Sequence, residues 1–138
     1  MKIIFRPSPI VVRSLGLLLW MTVIFFFSSL PGSENQFEPT LIYYLERKGA
    51  HVLEYAVLMF FAVRFVRALF PLQSFKKVLL GAGVFALLYG VSDELHQLFV
   101  PYRGAKVSDV LIDGSGILLA GAFIFLMSYI HHKNSQRI

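Results

Sequence analysis

Cysteine is absent from this sequence, which excludes disulfides and thiolate metal sites and leaves the redox compartment unmarked. Charge is scarce as well. Only 15% of the 138 residues are Asp, Glu, Lys or Arg against 57% hydrophobic, and a soluble globule of that composition would expose far too much apolar surface. Tryptophan occurs once beside 14 Phe and 6 Tyr, a mixture suited to lipid contact and interfacial belts. It is not the interleaved basic and aromatic surface of a nucleic-acid binder, so no nucleic-acid partner is expected. Acids are outnumbered, 8 against 13 bases, but basic loops on the cytoplasmic side of a membrane protein account for the +5 charge without an acidic partner. HExxH and GxSxG are both missing. Ser28, Ser29 and Ser92 therefore have no nucleophile context, and serines in membrane helices commonly bond back to the backbone. No internal repeat or low-complexity segment occurs.

What the sequence does have is apolar runs: Leu15 to Leu30, Ala50 to Val63, Val78 to Val91 and Gly114 to Ile130. Roughly twenty helical residues cross the hydrocarbon, and the second run reaches that length if Arg64 and Arg67 snorkel to the interface. Pro31-Gly32-Ser33 and Pro39 open the first connection, Pro71 closes the second helix, and Pro101 with Gly104 marks the third. The expectation is an all-α membrane protein, one domain over 1–138, a bundle of about four transmembrane helices spanning approximately 13–30, 49–70, 77–97 and 108–130. With the N-terminus inside, the cytoplasm receives Lys2, Arg6, Arg13, Arg64, Arg67, Lys76, Lys77, Lys133 and Arg137, leaving Arg47, Lys48, Arg103 and Lys106 outside. Both termini are therefore expected to be cytoplasmic in a multi-pass protein of the cell membrane. A removable signal peptide competes for the first run, but no A-x-A site follows and Pro31 sits badly for cleavage. The tail from His131 to Ile138 reads as a solvated basic end near anionic headgroups.

In that orientation the unusual residues gather at the outer ends of the second, third and fourth helices. Turning 100° per residue, ERKGAHVLEY puts Arg47, Lys48, His51, Glu54 and Tyr55 on one third of the helix surface. YGVSDELHQ does the same for Tyr89, Ser92, Asp93, His96 and Gln97, with Glu94 at the margin. Asp109 and Asp113 lie one turn apart, and their line continues through Gly116 and Ala120. Ala82, Ala86 and Gly90 form a second small-residue line, so the third and fourth helices should pack closely and bring Asp93, His96, Asp109 and Asp113 into one cavity. Glu54 lies ten residues, about 15 Å of helix, from Arg64 and must face protein or water. The plainer reading is a satisfied ion-pair network that fixes helix register, since isolated buried charge is costly. Two histidines with several carboxylates and bases at one depth favour a functional site.

These blocks carry a resemblance. IFFFSSLPG, KGAHVLEYAVLMFFAVR, YGVSDELHQLFVPYRG and SDVLIDGSGILLAG, in this order, resemble the VanZ-like proteins, named after a teicoplanin-resistance accessory protein of glycopeptide-resistant bacteria. Lys48, His51, Glu54, Tyr55, Asp93, Glu94, His96, Gln97, Pro101, Arg103, Asp109 and Gly116 stand where the family signature would have them, whereas Asp113 replaces an Asn frequent in similar proteins. The resemblance implies a cell-envelope context, not a reaction.

The first functional expectation is binding or modification of an anionic lipid or lipid-linked cell-wall precursor at the outer leaflet, with a link to teicoplanin tolerance. Lys48 and Arg103 would meet phosphate, His51, Glu54, Asp93 and His96 would orient groups or move protons, with Glu94 and Asp109 in the same polar cluster, and Tyr55, Gln97 and Asp113 would contact the ligand. An alternative is a metal-dependent membrane hydrolase or transferase using the one-turn pairs Asp93-x-x-His96 and His51-x-x-Glu54. Lys48 and Arg103 oppose a cation there, so no metal ligands are assigned and the cofactor is left open. A proton relay would need an oligomer, because the acids stop in the outer half. An accessory protein without catalysis also fits.

Overall fold

The computed structural model describes residues 8–32 and 41–136, and Lys2, Arg6, Ser33, Pro39 and Arg137, used above for topology and turns, lie outside them. Four helices account for nearly all of the described chain: α1 (Pro9–Ser28), α2 (Leu41–Leu69), α3 (Phe75–Gln97) and α4 (Val107–Ser135). No strand occurs among the described residues. Pro9 opens α1, where its missing N–H costs nothing. Ser74 in extended conformation precedes α3, and the 70–74 turn is tied by Arg67, whose guanidinium donates to the Gln73 carbonyl at 2.7 Å. After α3, Tyr102 adopts φ 58 in the tight turn that leads to α4.

Two boundaries differ from the apolar runs. The second helix starts about two turns before residue 49, because Glu46, Arg47 and Lys48 continue a helical face that a hydropathy reading cuts off. The fourth continues through His131 to Ser135, so the exposed basic end is helical.

The outside is more apolar than the inside. Leu15, Leu18, Leu19 and Phe26 on α1 and Leu118, Leu119 and Phe123 on α4 are exposed, while Ala62, Ala82 and Ala86 have no accessible surface. Such a distribution suits lipid, which offers no hydrophobic drive for association and rewards close backbone approach. By length and composition α1, α3 and α4 are each able to cross a membrane. The second helix touches α1, α3 and α4, so its buried His51 and half-buried Glu54 meet protein instead of lipid.

Helices α2 and α3 form a central pair, with α1 on one side and α4 on the other, and α1 does not contact α4. Glycine sets the α4 side. A Cβ on Gly116 would collide with the Val52 carbonyl oxygen and lie 3.0 Å from its carbon, so only a bare Cα lets α4 rest on α2. On α3, Gly90 faces the Tyr55 ring, whose Cε1 would be 3.1 Å from an added Cβ. The α1 side is held by longer reaches: Trp20 Nε1 donates to the Glu54 carbonyl at 2.9 Å, and the Tyr89 hydroxyl to that of Met21 at 2.7 Å.

Candidate functional site

Because the helices alternate in direction, the end of α1, the first half of α2, the end of α3 and the start of α4 share one end of the bundle. That end holds the buried polar side chains, and the α2–α3 pair divides them into two compartments.

On the α4 side the groups pair across a seam. Lys48 bonds Asp109, which also accepts from Ser108 Oγ at 3.2 Å. One turn deeper His51 Nδ1 lies 3.0 Å from Asp113 Oδ1, with 10% of the imidazole and none of the carboxylate exposed. Glu94 reaches the same region from α3 and accepts the Lys106 backbone N–H at 2.9 Å, tying the α3–α4 loop to the bundle. Asp109, Asp113 and Glu94 are all buried. Low dielectric raises the cost of removing either partner of such a pair.

On the α1 side a chamber of about 380 Å³ is open to the outside. Its walls come from Ile24, Phe27, Ser28 and the 30–32 turn, from Glu46, Arg47, Ala50, His51 and Glu54 on α2, from Asp93 and Gln97 on α3, and from Arg103 in the α3–α4 loop. Gln97 Nε2 donates to Asp93 Oδ2 at 3.2 Å, and Arg103 donates to the Phe27 carbonyl at 3.1 Å. The Gly32 N–H bonds the Pro101 carbonyl at 3.0 Å, so the loop carrying Arg103 is fastened to the end of α1. His51 belongs to both compartments. Its Nδ1 faces Asp113, and its Nε2 makes no bond to a described residue. An imidazole held by a carboxylate at Nδ1 is oriented to exchange a proton through Nε2.

Of the residues singled out from sequence, Lys48, His51, Glu54, Tyr55, Asp93, Glu94, Gln97, Arg103, Asp109 and Asp113 lie in or beside these compartments. His96 does not join them. It points to α1, with Nε2 3.0 Å from Ser29 Oγ and its ring 4.6 Å from that of Phe25. The expected cavity shared by Asp93, His96, Asp109 and Asp113 is therefore replaced by two compartments without His96. Lys48 is drawn to Asp109 and does not line the chamber, where Arg47 stands instead. Glu94, assigned to the margin of its helix, is 3% exposed. Tyr55 sits in the core on Gly90, with its hydroxyl buried and without a partner among the described residues.

Arg47, on the polar face read from sequence but given no role there, also lines the chamber, as do Glu46 and Ser28, to which no site role was given. Ser28 had a signal: Leu17, Ile24 and Ser28 continue one buried line at helical spacing. No curated protein and no solved structure matches the chain. The VanZ/LLP1 family model matches residues 14–129, from the first helix to near the end of the fourth, and contains both compartments. With most of its length and every residue of the candidate site inside that match, the chain belongs to the VanZ/LLP1 family.

Proposed function

We propose that the chamber receives the anionic headgroup of a membrane lipid or lipid-linked cell-wall precursor at the outer leaflet. The observation that carries this reading is the open polar space between α1, α2 and α3, which puts two guanidinium groups, Arg47 and Arg103, beside a histidine anchored on a carboxylate. Guanidinium presents paired donors to phosphate, which makes the two arginines the phosphate contacts in place of Lys48. His51, with Glu54 and Asp93 across from it, supplies proton exchange if the headgroup is modified as well as bound.

In this reading the chain crosses four times with both termini cytoplasmic and the chamber lies outside, which the basic residues at the opposite end support, among them Arg64, Arg67, Lys76 and Lys77. Alkaline phosphatase joined after Gly104 should be active and joined after Gln73 silent; the reverse pattern would put the chamber in the cytoplasm and end the outer-leaflet reading. In a cell wall built from such precursors, altered surface exposure of a precursor would appear as changed teicoplanin tolerance. The direct test is the lipid that copurifies with the full chain. Anionic lipid should be retained by the unaltered protein and lost from Arg47→Ala and Arg103→Ala, and equal retention by all three would refute the chamber's role.

A second reading, an accessory protein whose charges only fix helix register, is favoured by one observation: the α2–α4 seam pairs Lys48 and His51 with Asp109 and Asp113. It predicts that chamber variants are silent in every lipid and tolerance assay.

A further inference from the structure

We infer that His51, Glu94 and Asp113 bind a divalent transition-metal ion, with zinc the best match to one imidazole and two carboxylates. The inference does not depend on the headgroup reading. One ligand atom from each of the three residues lies within 4.8 Å of the others, and all three residues are buried. Donors about 2.1 Å from a common zinc lie about 3 to 4 Å apart, so small rotamer adjustments would close the set. The His51 Nδ1 to Asp113 Oδ1 separation of 3.0 Å already falls at the short end of that range.

Independent of the spacing, two oxygens of the set are buried without a hydrogen-bond partner among the described residues: Asp113 Oδ2 and Glu94 Oε1. Asp113 is wholly inaccessible, and its Oδ2 faces α3, 3.5 Å from where a Gly90 Cβ would stand, one turn before Glu94. Orphaned carboxylate oxygens in a dry interior are costly and call for a cation or a proton. The charge count agrees. At the seam Glu94, Asp109 and Asp113 are buried, and the bases nearest it are His51 and the half-buried Lys48. Of the two bases that oppose a cation from sequence, Lys48 is neutralised by Asp109, and Arg103 stands in the chamber wall, bonded to the Phe27 carbonyl. Neither pair suggested by sequence spacing is the ligand set: His96 is turned to α1, and His51 is joined by Glu94 and Asp113 instead of Glu54. Mixed nitrogen and oxygen donors favour zinc or manganese over magnesium and calcium, which prefer oxygen alone.

The experiment is metal analysis of the full chain in detergent, stripped with chelator, reloaded with zinc and dialysed against metal-free buffer. About one zinc per chain is expected, with Glu94→Gln and Asp113→Ala each weakening the affinity at least about 100-fold. A His131→Ala/His132→Ala variant, which removes the exposed histidines at the far end, should bind as the unaltered protein does. X-ray absorption at the zinc edge of the unaltered protein keeps the test independent of how the variants fold, and one imidazole with the remaining donors oxygen is expected. Substoichiometric zinc, undiminished affinity in both site variants, or a shell with no imidazole or more than one would overturn the assignment. The first of these results would leave a shared proton between the two carboxylates.

Discussion

The two sides of the α2–α3 pair solve the same problem differently. On the α4 side, Lys48 and His51 are paired with buried carboxylates, two carboxylate oxygens are left without a partner among the described residues, and a glycine brings two backbones into contact. Toward α1, similar side chains surround an open space, and the wall is held off by single hydrogen bonds from Trp20 and Tyr89. A paired, close-packed seam makes the loss of either partner costly, whereas an open space leaves its groups available to a ligand. The lesson is that the charged residues of this bundle do not form one class, although sequence alone gives them one depth and one face.

Substitutions that separate the two sides should do so with falling effect. Gly116→Leu forces a side chain into the Val52 backbone and should prevent α4 from docking, at about 3 kcal/mol or more, read as loss of folded protein in detergent by thermal unfolding. Asp109→Ala strips the half-buried Lys48 of its partner and should cost about 1–3 kcal/mol, while adding Lys48→Ala should recover part of the loss. If that double variant is no better than the single one, the seam is not a matched pair. Arg47→Ala should change thermal stability by less than about 0.5 kcal/mol while abolishing retention of anionic lipid, the reverse of the seam variants. His96→Ala should have the smallest effect on function, with lipid retention unchanged and a stability cost of about 1 kcal/mol or less, because Ser29 keeps its bond to the Phe25 carbonyl. A lipid defect in His96→Ala would show that the chamber extends to α1's outer edge.

Much of this was legible in the residues. Apolar runs located the helices, and the small-residue lines through Ala82, Ala86 and Gly90 and through Gly116 marked where helices touch. The partner of each line was not legible, since periodicity gives a face and no neighbour. Gly116 rests on α2, not on α3. The position of His96 could have been read more closely. Counted from Gly90 at 100° per residue, Gln97 lies about 20° away, Glu94 about 40° and His96 about 120°, so the ridge of small residues points Glu94 inward and His96 aside. Lys48 and Arg47 are adjacent in sequence, and only the location of Asp109 on α4 decides which of them faces the seam.

Trp20 has a practical consequence. It is the only tryptophan in the chain, and its indole is bonded to the backbone of Glu54, a residue of the chamber wall. Selective excitation therefore gives an optical signal from one position, with no label to attach. Any event that separates the first helix from the second would break that bond and shift the emission, so parting of these two helices can be followed in real time.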